Sequence, residues 1–254
     1  MKHTLLILCT LALAFLHNPS ALHAQAEGSE AQMKAWLNSQ GITVSDNNRV
    51  RLLASGQEKF DDLFDAIRGA RHHIHLEYFN FRNDSIGKAL FDLLAEKAAE
   101  GVEVRAMFDA FGNWSNNRPL RNKHLKSIRS RGIEVVKFDP IKFPWVNHVL
   151  HRDHRKIVVI DGHTGYTGGM NVADYYLHGL PGLGQWHDMH IRIEGDAVRY
   201  LQGIFLTMWN RETGQHVGGP EYFADIHIPD NIAGEVAIVD RVPRETPRSI
   251  SHAY

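Results

Sequence analysis

Residues 151–171 decide the fold, and they read HRDHRKIVVIDGHTGYTGGMN. The stretch contains His154, Lys156 and Asp161 at the spacing H-x-K-x4-D, and the tetrapeptide Gly-Gly-Met-Asn follows at 168–171. A histidine, a lysine, an acid and a later asparagine at such fixed offsets rarely arise by chance in a chain of this length. The combination indicates a functional site, the alternative being a core β-hairpin with incidental polar residues.

The residues between these polar groups predict the local structure. The β-branched apolar run at 157–160 is typical of a buried strand, and the glycine-rich segment at 165–169 predicts a turn that sends the chain back. A strand out and a strand back would bring His154, Lys156 and Asn171 to one end of the pair. An imidazole can attack or transfer a proton, while an ammonium and an amide can hold phosphate oxygens. The stretch therefore predicts chemistry on a phosphate ester.

The motif resembles that of the phospholipase D superfamily, in which H-x-K-x4-D is followed by a Gly-Gly/Ser-x-Asn element. The flanking text HRKIVVIDG at 154–162, GYTGGMN at 165–171 and WHDMHIRIEGDAV at 186–198 is similar to its bacterial cardiolipin synthase branch. The resemblance extends from about residue 48 to the C-terminus. It implies an α/β fold, a phospholipase D-like α/β/α sandwich with a mixed, largely parallel sheet flanked by helices. Members of this branch carry two such motifs in one chain, whereas this sequence has one.

The resemblance also implies an activity: a phosphodiesterase or phosphatidyltransferase acting on anionic phospholipid through a phosphohistidine. It implies four catalytic residues, which are His154, Lys156, Asp161 and Asp188. It implies three phosphate-binding residues, which are Lys156, Gly169 and Asn171. In this mechanism His154 attacks phosphorus, Asp188 orients the imidazole, and a second histidine protonates the leaving alcohol. The resembling family uses no metal, and no cofactor is implied. Although the chain has 17 histidines, no H-E-x-x-H pattern occurs.

Two further acids, Glu77 and Asp109, stand at the ends of predicted strands. In open α/β sheets the site forms beyond the carboxyl ends of the strands, so either acid could orient a histidine as an accessory residue. The alternative for both is an ordinary helix cap or a surface acid.

The N-terminus has the layout of a secretory signal peptide over residues 1–26. Lys2 precedes an apolar run at 5–16, and Ala24-Gln25-Ala26 is a plausible cleavage site. The run is shorter than the ~20 residues of a membrane span, the alternative being an uncleaved anchor. These features predict an exported protein, periplasmic or in the cell envelope, with peripheral membrane association. The single cysteine, Cys9, lies in this run, so a mature chain would contain no disulfide.

The rest of the chain divides into three parts. Residues 27–47 form an N-terminal extension with a short helix at 31–40, and 48–232 form the catalytic domain with its one motif. Residues 233–254 resemble the start of a second half that is cut off, with a strand at 236–242 and the opening of a helix at 246–254.

Within the domain, a repeated helix-glycine-strand pattern indicates parallel βαβ units. Predicted helices cover 58–70, 85–100, 119–131 and 196–209. Predicted strands cover 73–79, 102–108 and 133–138. The side chains expected to be deeply buried are Phe64, Ile157, Val159 and Phe205.

The charge pattern bears on partners. A net charge of −1 argues against broad polyanion binding, yet residues 118–131 hold six basic residues and no acid. That segment is either a solvated helix face or a surface that meets anionic lipid headgroups. The expected partners are anionic phospholipid at a membrane surface and either a second copy of the chain or a missing second half. Nucleic acid is disfavoured by the flanks of the motif. A single-motif dimeric nuclease and an inactive lipid- or phosphate-binding half-enzyme stay open as alternatives.

Overall fold

The computed structural model describes residues 30–140 and 152–241, which form one eight-stranded sheet with helices on both faces. The strands are β1 Val44–Leu53, β2 His73–Tyr78, β3 Glu103–Asp109, β4 Glu134–Phe138, β5 Lys156–Ile160, β6 Thr164–Gly168, β7 His190–Gly195 and β8 Gly234–Ala237. The helices are α1 over 30–39, α2 Gly56–Gly69, α3 Ser85–Ala99, α4 Ala110–Ser115, α5 Asn122–Arg129, α6 Tyr175–His178 and α7 Ala197–Thr213, with a 3₁₀ turn at Pro220–Tyr222.

The strands lie in the order β4-β3-β2-β5-β6-β7-β1-β8. Strands β2, β3 and β4 pair in parallel through the predicted βαβ connections, and the other pairings are antiparallel. The predicted mixed sheet flanked by helices is confirmed, but the expectation that it is largely parallel is wrong. A parallel connection needs a crossover of a dozen or more residues, and only a three-residue turn at 161–163 joins β5 to β6.

The sheet has two core faces because side chains alternate along each strand. On one face, Leu76 of β2 and Val158 of β5 pack with helices α2, α3 and α5. On the other face, Ile157 and Val159 of β5 pack with α7. The central strands are therefore covered on both sides, which explains why all five residues of β5 are buried.

Helix α7 matches the predicted amphipathic stripe. Val198, Leu201, Phe205 and Met208 are all buried against the sheet. The helix runs one turn further than predicted and ends at Gly214, whose φ of 70° is the left-handed conformation that favours glycine at a helix end.

Helix α2 begins at the N-cap Ser55, whose side chain accepts a hydrogen bond from the Glu58 backbone N–H. Its buried stripe contains Phe60, Leu63 and Ile67. Phe64 is only partly buried, so its predicted deep burial is wrong. On a helix of 3.6 residues per turn, position 64 lies at the margin of the stripe that these three residues form.

The predicted helix over 119–131 is shorter in the structure, because α5 starts at Asn122. The cause is Asn113 in α4, a helix that the sequence pattern did not predict. The side chain of Asn113 donates to the Leu120 carbonyl oxygen at 3.1 Å and accepts from the Leu120 N–H at 2.8 Å. These two bonds hold the chain before α5 extended, and Pro119 therefore lies outside the helix.

The hairpin at the centre of the motif also turns earlier than predicted. The chain reverses at 161–163, where Asp161 has a φ of 51° and Gly162 a φ of 71°. The glycine-rich segment at 165–169, predicted as the turn, forms most of strand β6 instead. Glycine is favoured at 165 because a Cβ there would lie 2.9 Å from the Leu201 side chain of α7. Close packing of helix on sheet, and not a turn, is the reason for that glycine.

The predicted segment boundaries fall on elements of this one sheet. The boundary between residues 47 and 48 lies inside β1. Strand β8 belongs to the segment predicted as the start of a second half, and it pairs with β1 at the sheet edge. The predicted signal peptide and the predicted helix at 246–254 lie outside the described residues. Between residues 30 and 140 and between 152 and 241, no helix combines the length and the apolar character needed to cross a bilayer.

We expect Val159→Ala to lower the free energy of unfolding by about 1–3 kcal/mol. Val159 is fully buried between the sheet and α7, so the change removes buried methyl groups and leaves a cavity. Urea unfolding measures the effect. The matched control is Val50→Ala in β1, where the side chain is 48% exposed and a change below about 0.5 kcal/mol is expected. Equal effects of the two substitutions would contradict the assignment of β5 to the core.

Candidate active site

One edge of the sheet gathers the ends of five neighbouring strands. Tyr78 pairs with both Phe108 and Lys156 at this end of the sheet, and Gly168 pairs with His190. Strands β5 and β6 are joined here by the pair Ile157 and Thr167. The chain segments that leave or enter the sheet at this end carry His154, Asp109, Asn171 and Asp188. The structure thus brings His154, Lys156 and Asn171 to the same end of the β5–β6 hairpin, as the sequence predicts.

His154 and Lys156 form the centre of the site. Lys156 Nζ lies 3.1 Å from His154 Nδ1 and donates to the His154 carbonyl oxygen at 2.7 Å. The ring of Phe79 lies beside both, its centroid 4.8 Å from that of His154. The imidazole is exposed, whereas the Lys156 side chain is buried. An accessible nitrogen nucleophile therefore stands next to a shielded positive charge.

The environment changes the protonation of both groups. Burial lowers the pKa of Lys156 to about 8, although the carboxylates of Asp153 and Asp188 oppose this shift. Partial burial against Phe79 and then the Lys156 charge lower the pKa of His154 below its ordinary value. At neutral pH the lysine is thus charged and the imidazole is neutral, which is the combination that attack on a phosphate diester requires.

Asp188 lies at the site without contacting the imidazole in the manner predicted. Its Oδ1 accepts from the Met189 N–H at 2.7 Å, and its charge acts on Lys156. The described neighbour of His154 Nδ1 is the Lys156 ammonium. Orientation of His154 by Asp188 is therefore not part of this arrangement.

Gly169 was predicted to bind phosphate, but its N–H already donates to the Met189 carbonyl oxygen at 2.9 Å. Position 169 requires glycine for a different reason. A Cβ at this position would overlap the Asp188 carboxylate, so the absence of a side chain lets Asp188 approach the hairpin end.

Asn171 is buried, and its Oδ1 accepts a long hydrogen bond of 3.4 Å from the Asn80 N–H. Beneath it lies Lys59 of α2, a fully buried lysine. Lys59 Nζ donates to the carbonyl oxygens of Met170 and Asn171 at 3.2 and 3.0 Å. The Lys59 side chain therefore fixes the backbone of the asparagine segment from inside the protein.

Three basic side chains lie in the interior of the site, namely Lys59, Lys156 and His190. Burial, with the nearby Lys156 charge opposing protonation further, lowers the pKa of Lys59 well below its ordinary value. Burial, followed by these two lysines, lowers the pKa of His190 well below its ordinary value. Asp188 is the acid that offsets Lys59. Such a cluster is suited to a phosphate, whose oxygens carry negative charge.

Glu77, a predicted accessory residue, is fully buried at the end of β2. Its Oε1 lies 3.5 Å from Arg155, which also binds Asp153 at 3.3 Å and Asp240 at 2.7 Å. Burial and then the Asp153 carboxylate raise the pKa of Glu77 well above its ordinary value. Glu77 Oε2 and Asp153 Oδ2 are both buried with no hydrogen-bond partner in the described chain. Glu77 thus supports the segment that carries His154.

Asp109 is a helix cap, which was the alternative considered for it, and it also binds the segment before His154. As the N-cap of α4 it accepts from the Gly112 N–H at 2.8 Å. Its Oδ2 also accepts from the Asp153 N–H at 2.9 Å, and its Oδ1 lies 3.2 Å from Arg152. Asp109 therefore anchors the segment before His154 and does not touch the imidazole.

Asp161, the last residue of the H-x-K-x4-D motif, lies at the opposite end of β5 from Lys156. Five residues of strand separate the two, which is roughly 16 Å at 3.3 Å per residue. Its carboxylate accepts hydrogen bonds from the backbone N–H groups of Arg71, His72 and His73, at 2.8, 2.8 and 3.0 Å. The structure does not bring Asp161 to the site, and these contacts give it a role in fixing the start of β2.

We expect Asp161→Asn to lower the free energy of unfolding by about 1–2 kcal/mol while leaving activity within a few-fold of wild type. The amide loses the charge and one of the two acceptor atoms, but asparagine tolerates the positive φ. Urea midpoints and initial rates measure the two effects. Asp65→Asn is the matched control, because its side chain is 78% exposed and no stability change is expected. A hundredfold loss of activity with unchanged stability would contradict this structural role.

Sequence reasoning missed Lys59, Asp153 and Arg155. Lys59 left a signal, because it lies four residues before Leu63 on the buried side of an amphipathic helix, where a charged residue is unusual. Asp153 and Arg155 flank the motif histidine, but nothing in the spacing shows that they meet Glu77 across the sheet.

The comparison with known families agrees with this geometry. The sequence profile described as "Cardiolipin synthase, PLD-like domain" matches residues 63–209, which is more than half of the chain and includes His154, Lys156, Asn171 and Asp188. The chain belongs to this phospholipase D-like family. His154 and Lys156 both lie within the matched residues.

Relatives within the family include the cardiolipin synthase of Geobacillus thermodenitrificans, which is 40% identical over 212 residues, or 83% of this chain and 41% of the relative. The cardiolipin synthase of Staphylococcus aureus is 39% identical over 226 residues, or 88% of this chain and 44% of the relative. The chain thus spans less than half the length of these relatives. Among solved structures, the phosphatidylserine synthase of Haemophilus influenzae has a TM-score of 0.51 and 18% identity, covering 65% of this chain and 37% of that one. The Haemophilus influenzae protein and this chain therefore share a fold.

Proposed function

We propose that this phospholipase D-like chain transfers the phosphatidyl group of an anionic phospholipid, by way of a covalent phosphohistidine on His154. The observation that carries the proposal is the exposed imidazole of His154 with the buried Lys156 ammonium 3.1 Å away. The family supports the proposal, and so do the two relatives described above, which are cardiolipin synthases.

In the first step, a ring nitrogen of His154 attacks phosphorus, and the bond from phosphorus to the headgroup oxygen breaks. The leaving oxygen takes a proton and departs as an alcohol. Lys156 neutralises the non-bridging oxygens, whose charge otherwise repels a nucleophile. In the second step, an incoming alcohol or water attacks the phosphohistidine, loses its proton and restores the imidazole. The lowered pKa of His154 favours the neutral ring that the first step needs.

The proton transfers need a second acid–base group. General acid–base help contributes typically 10²–10⁴-fold in rate, and the sequence holds one H-x-K-x4-D motif. We propose that a second His154 supplies it, from another copy of the chain paired across a twofold axis, or that a second half of a longer protein does so. The exposed side chains of Leu183, Trp186 and Met189 border the site on the β7 side and are available to such a pairing surface.

The direct test is incubation with phosphatidylglycerol and analysis of the products. Transfer to a second phosphatidylglycerol yields cardiolipin and glycerol, whereas hydrolysis yields phosphatidic acid and glycerol. Either product supports the proposal and identifies the acceptor. Absence of both, together with cleavage of a DNA phosphodiester, would instead support the nuclease alternative.

The pairing makes a further prediction, which a dilution experiment tests. If both copies of His154 form one site, wild-type activity diluted with His154→Ala chain at constant total concentration should fall as the square of the wild-type fraction. After subunit exchange, an equal mixture should retain about one quarter of the activity, because only the wild-type homodimer is complete. A chain that works alone would retain about half. Light scattering on the same samples measures whether a dimer is present.

We also propose export to the cell envelope with peripheral membrane association. The signal-peptide layout of residues 1–26 supports this location. Fractionation of expressing cells tests it, and recovery of the full-length chain in the cytoplasm alone would contradict it.

A further inference from the structure

The chain between Ala110 and Ile133 contains no acid. It contains six basic residues, which are Arg118, Arg121, Lys123, Lys126, Arg129 and Arg131. All six side chains are exposed. Of these six residues, only Arg131 forms an ion pair within the described residues, with Asp92 at 2.6 Å. Because the described residues leave most of this charge unpaired, the surface attracts an anionic partner.

An exposed aromatic side chain accompanies these cations. Trp114, at the end of α4, is 73% exposed although it is one of the most apolar side chains in the protein. An indole of this kind gains free energy at a membrane–water interface, where its apolar ring and its N–H are both accommodated. A tryptophan next to a cluster of cations is the pattern of surfaces that lie on anionic bilayers.

A groove of about 230 Å³ lies between α3 and α5, within the same surface. Phe91, Leu120 and Ile128 contribute apolar walls. The charged and titratable side chains of the lining are those of Arg82, Lys88, His124, Arg131 and one acid, Asp92, which is paired with Arg131. Partial burial and then the charges of nearby lysines and Arg121 lower the pKa of His124, which shows that positive charge converges there. An apolar wall beside cations fits a lipid phosphate with its first acyl carbons better than it fits a nucleic-acid backbone.

This surface adjoins the candidate active site. Helix α4 begins directly after Asp109, at the same sheet edge as Lys156. Gly112 packs so closely on the Phe79 carbonyl that a Cβ would overlap it, and the Phe79 ring lies against His154. A bilayer bound by the surface would therefore lie next to the nucleophile.

We propose that residues 110–131 form a docking surface for an anionic phospholipid bilayer. Trp114 enters the interfacial region, the exposed cations contact headgroup phosphates, and the groove between α3 and α5 holds one headgroup. The inference rests on the proposed function, because it explains how a lipid phosphate reaches His154.

The test is sedimentation of the full chain with phosphatidylcholine vesicles that contain either 30 mol% phosphatidylglycerol or none. The test variant is the triple substitution Arg118→Gln, Arg121→Gln and Lys126→Gln. We expect it to lose about 100-fold in partitioning to the anionic vesicles at low salt, since each of the three cations near such a surface contributes roughly fivefold. Trp114→Ala should lose about tenfold on the same vesicles. Binding to the neutral vesicles measures what the rest of the chain contributes.

The matched control removes the same charge elsewhere, by Arg49→Gln, Arg51→Gln and Arg68→Gln, whose side chains are each 59% exposed. This control should bind as wild type does. An equal loss in both triple variants, or no loss in the test variant, would overturn the docking surface. The docking surface would also be overturned if the test variant bound vesicles as wild type does but no longer bound DNA or no longer formed a dimer.

Two measurements separate this inference from the proposed function. His154→Ala should bind vesicles like wild type, because docking does not depend on the nucleophile. A soluble short-chain phosphatidylglycerol should be turned over equally by wild type and by the test triple variant, because the substrate needs no bilayer. If wild type turns over neither substrate, the proposed function fails, and the vesicle assay still decides whether the surface docks.

Discussion

His154→Ala should abolish turnover of phosphatidylglycerol, with a loss of at least about 10⁴-fold. The imidazole is the nucleophile of the proposed mechanism, and removing a covalent nucleophile removes the reaction path itself. The fold should be unaffected, because the side chain is exposed at a strand end and lies outside the apolar core. Initial rates and the urea midpoint of the purified variant measure the two expectations together.

The covalent step provides a second measurement on the same residue. Acid quench of wild type during turnover should leave a phosphatidyl adduct on the peptide that contains His154, and the variant should show none. His216→Ala is the matched control, because His216 is an exposed imidazole outside the site and should keep full activity. Wild-type turnover by His154→Ala would rule out the mechanism.

Lys156→Ala should lower activity by about 10²–10³-fold. Lys156 is the buried cation beside His154, and removal of one donor that stabilises developing negative charge costs about this much. Its loss should mainly reduce kcat, because the charge on the phosphate oxygens is largest along the reaction path. A loss of less than tenfold would mean that another cation holds the phosphate.

The pH dependence of kcat/KM tests the role of the Lys156 side chain without replacing it. Only the protonated lysine neutralises phosphate, and its pKa is about 8, so kcat/KM should be level below that pH and fall tenfold per unit above it. At the acid side, kcat/KM should fall only below the lowered pKa of His154, because protonation removes the nucleophile. Lys156→Arg keeps the charge at all these pH values, so any residual activity should lack the alkaline decline. An unchanged decline in that variant would assign it to another group.

The sequence predicts the positions of some site residues correctly and those of others incorrectly. His154 and Lys156 are two residues apart, and side chains repeat every second residue in an extended chain, so their proximity follows from local geometry. Asn171 returns to the same end of the hairpin as Lys156 because β5 and β6 have equal lengths. Asp161 shows the limit of motif reasoning, because its fixed spacing from Lys156 has a structural cause at the far end of the same strand.

No local sequence pattern indicates the other contacts of the site. Glu77 and Arg155 are 78 positions apart, and they meet because β2 and β5 become neighbours in the sheet. Strand β1 was not predicted, since its polar sequence VSDNNRVRLL lacks the alternation of a half-buried strand. The neighbour of His154 Nδ1 differed from the prediction for a similar reason, because the approach of Asp188 depends on how the long loop before β7 folds.

The sequence by itself determined the βαβ half of the sheet, the motif hairpin and the family, because hydrophobic period, glycine placement and fixed residue offsets are local properties of a chain. Only the tertiary structure decided that the sheet is mostly antiparallel, that Lys59 reaches the hairpin from α2, and that the pKa of Glu77 is raised. These features depend on strand order and burial, which bring together residues far apart in the chain and set the free energy of every charge between them.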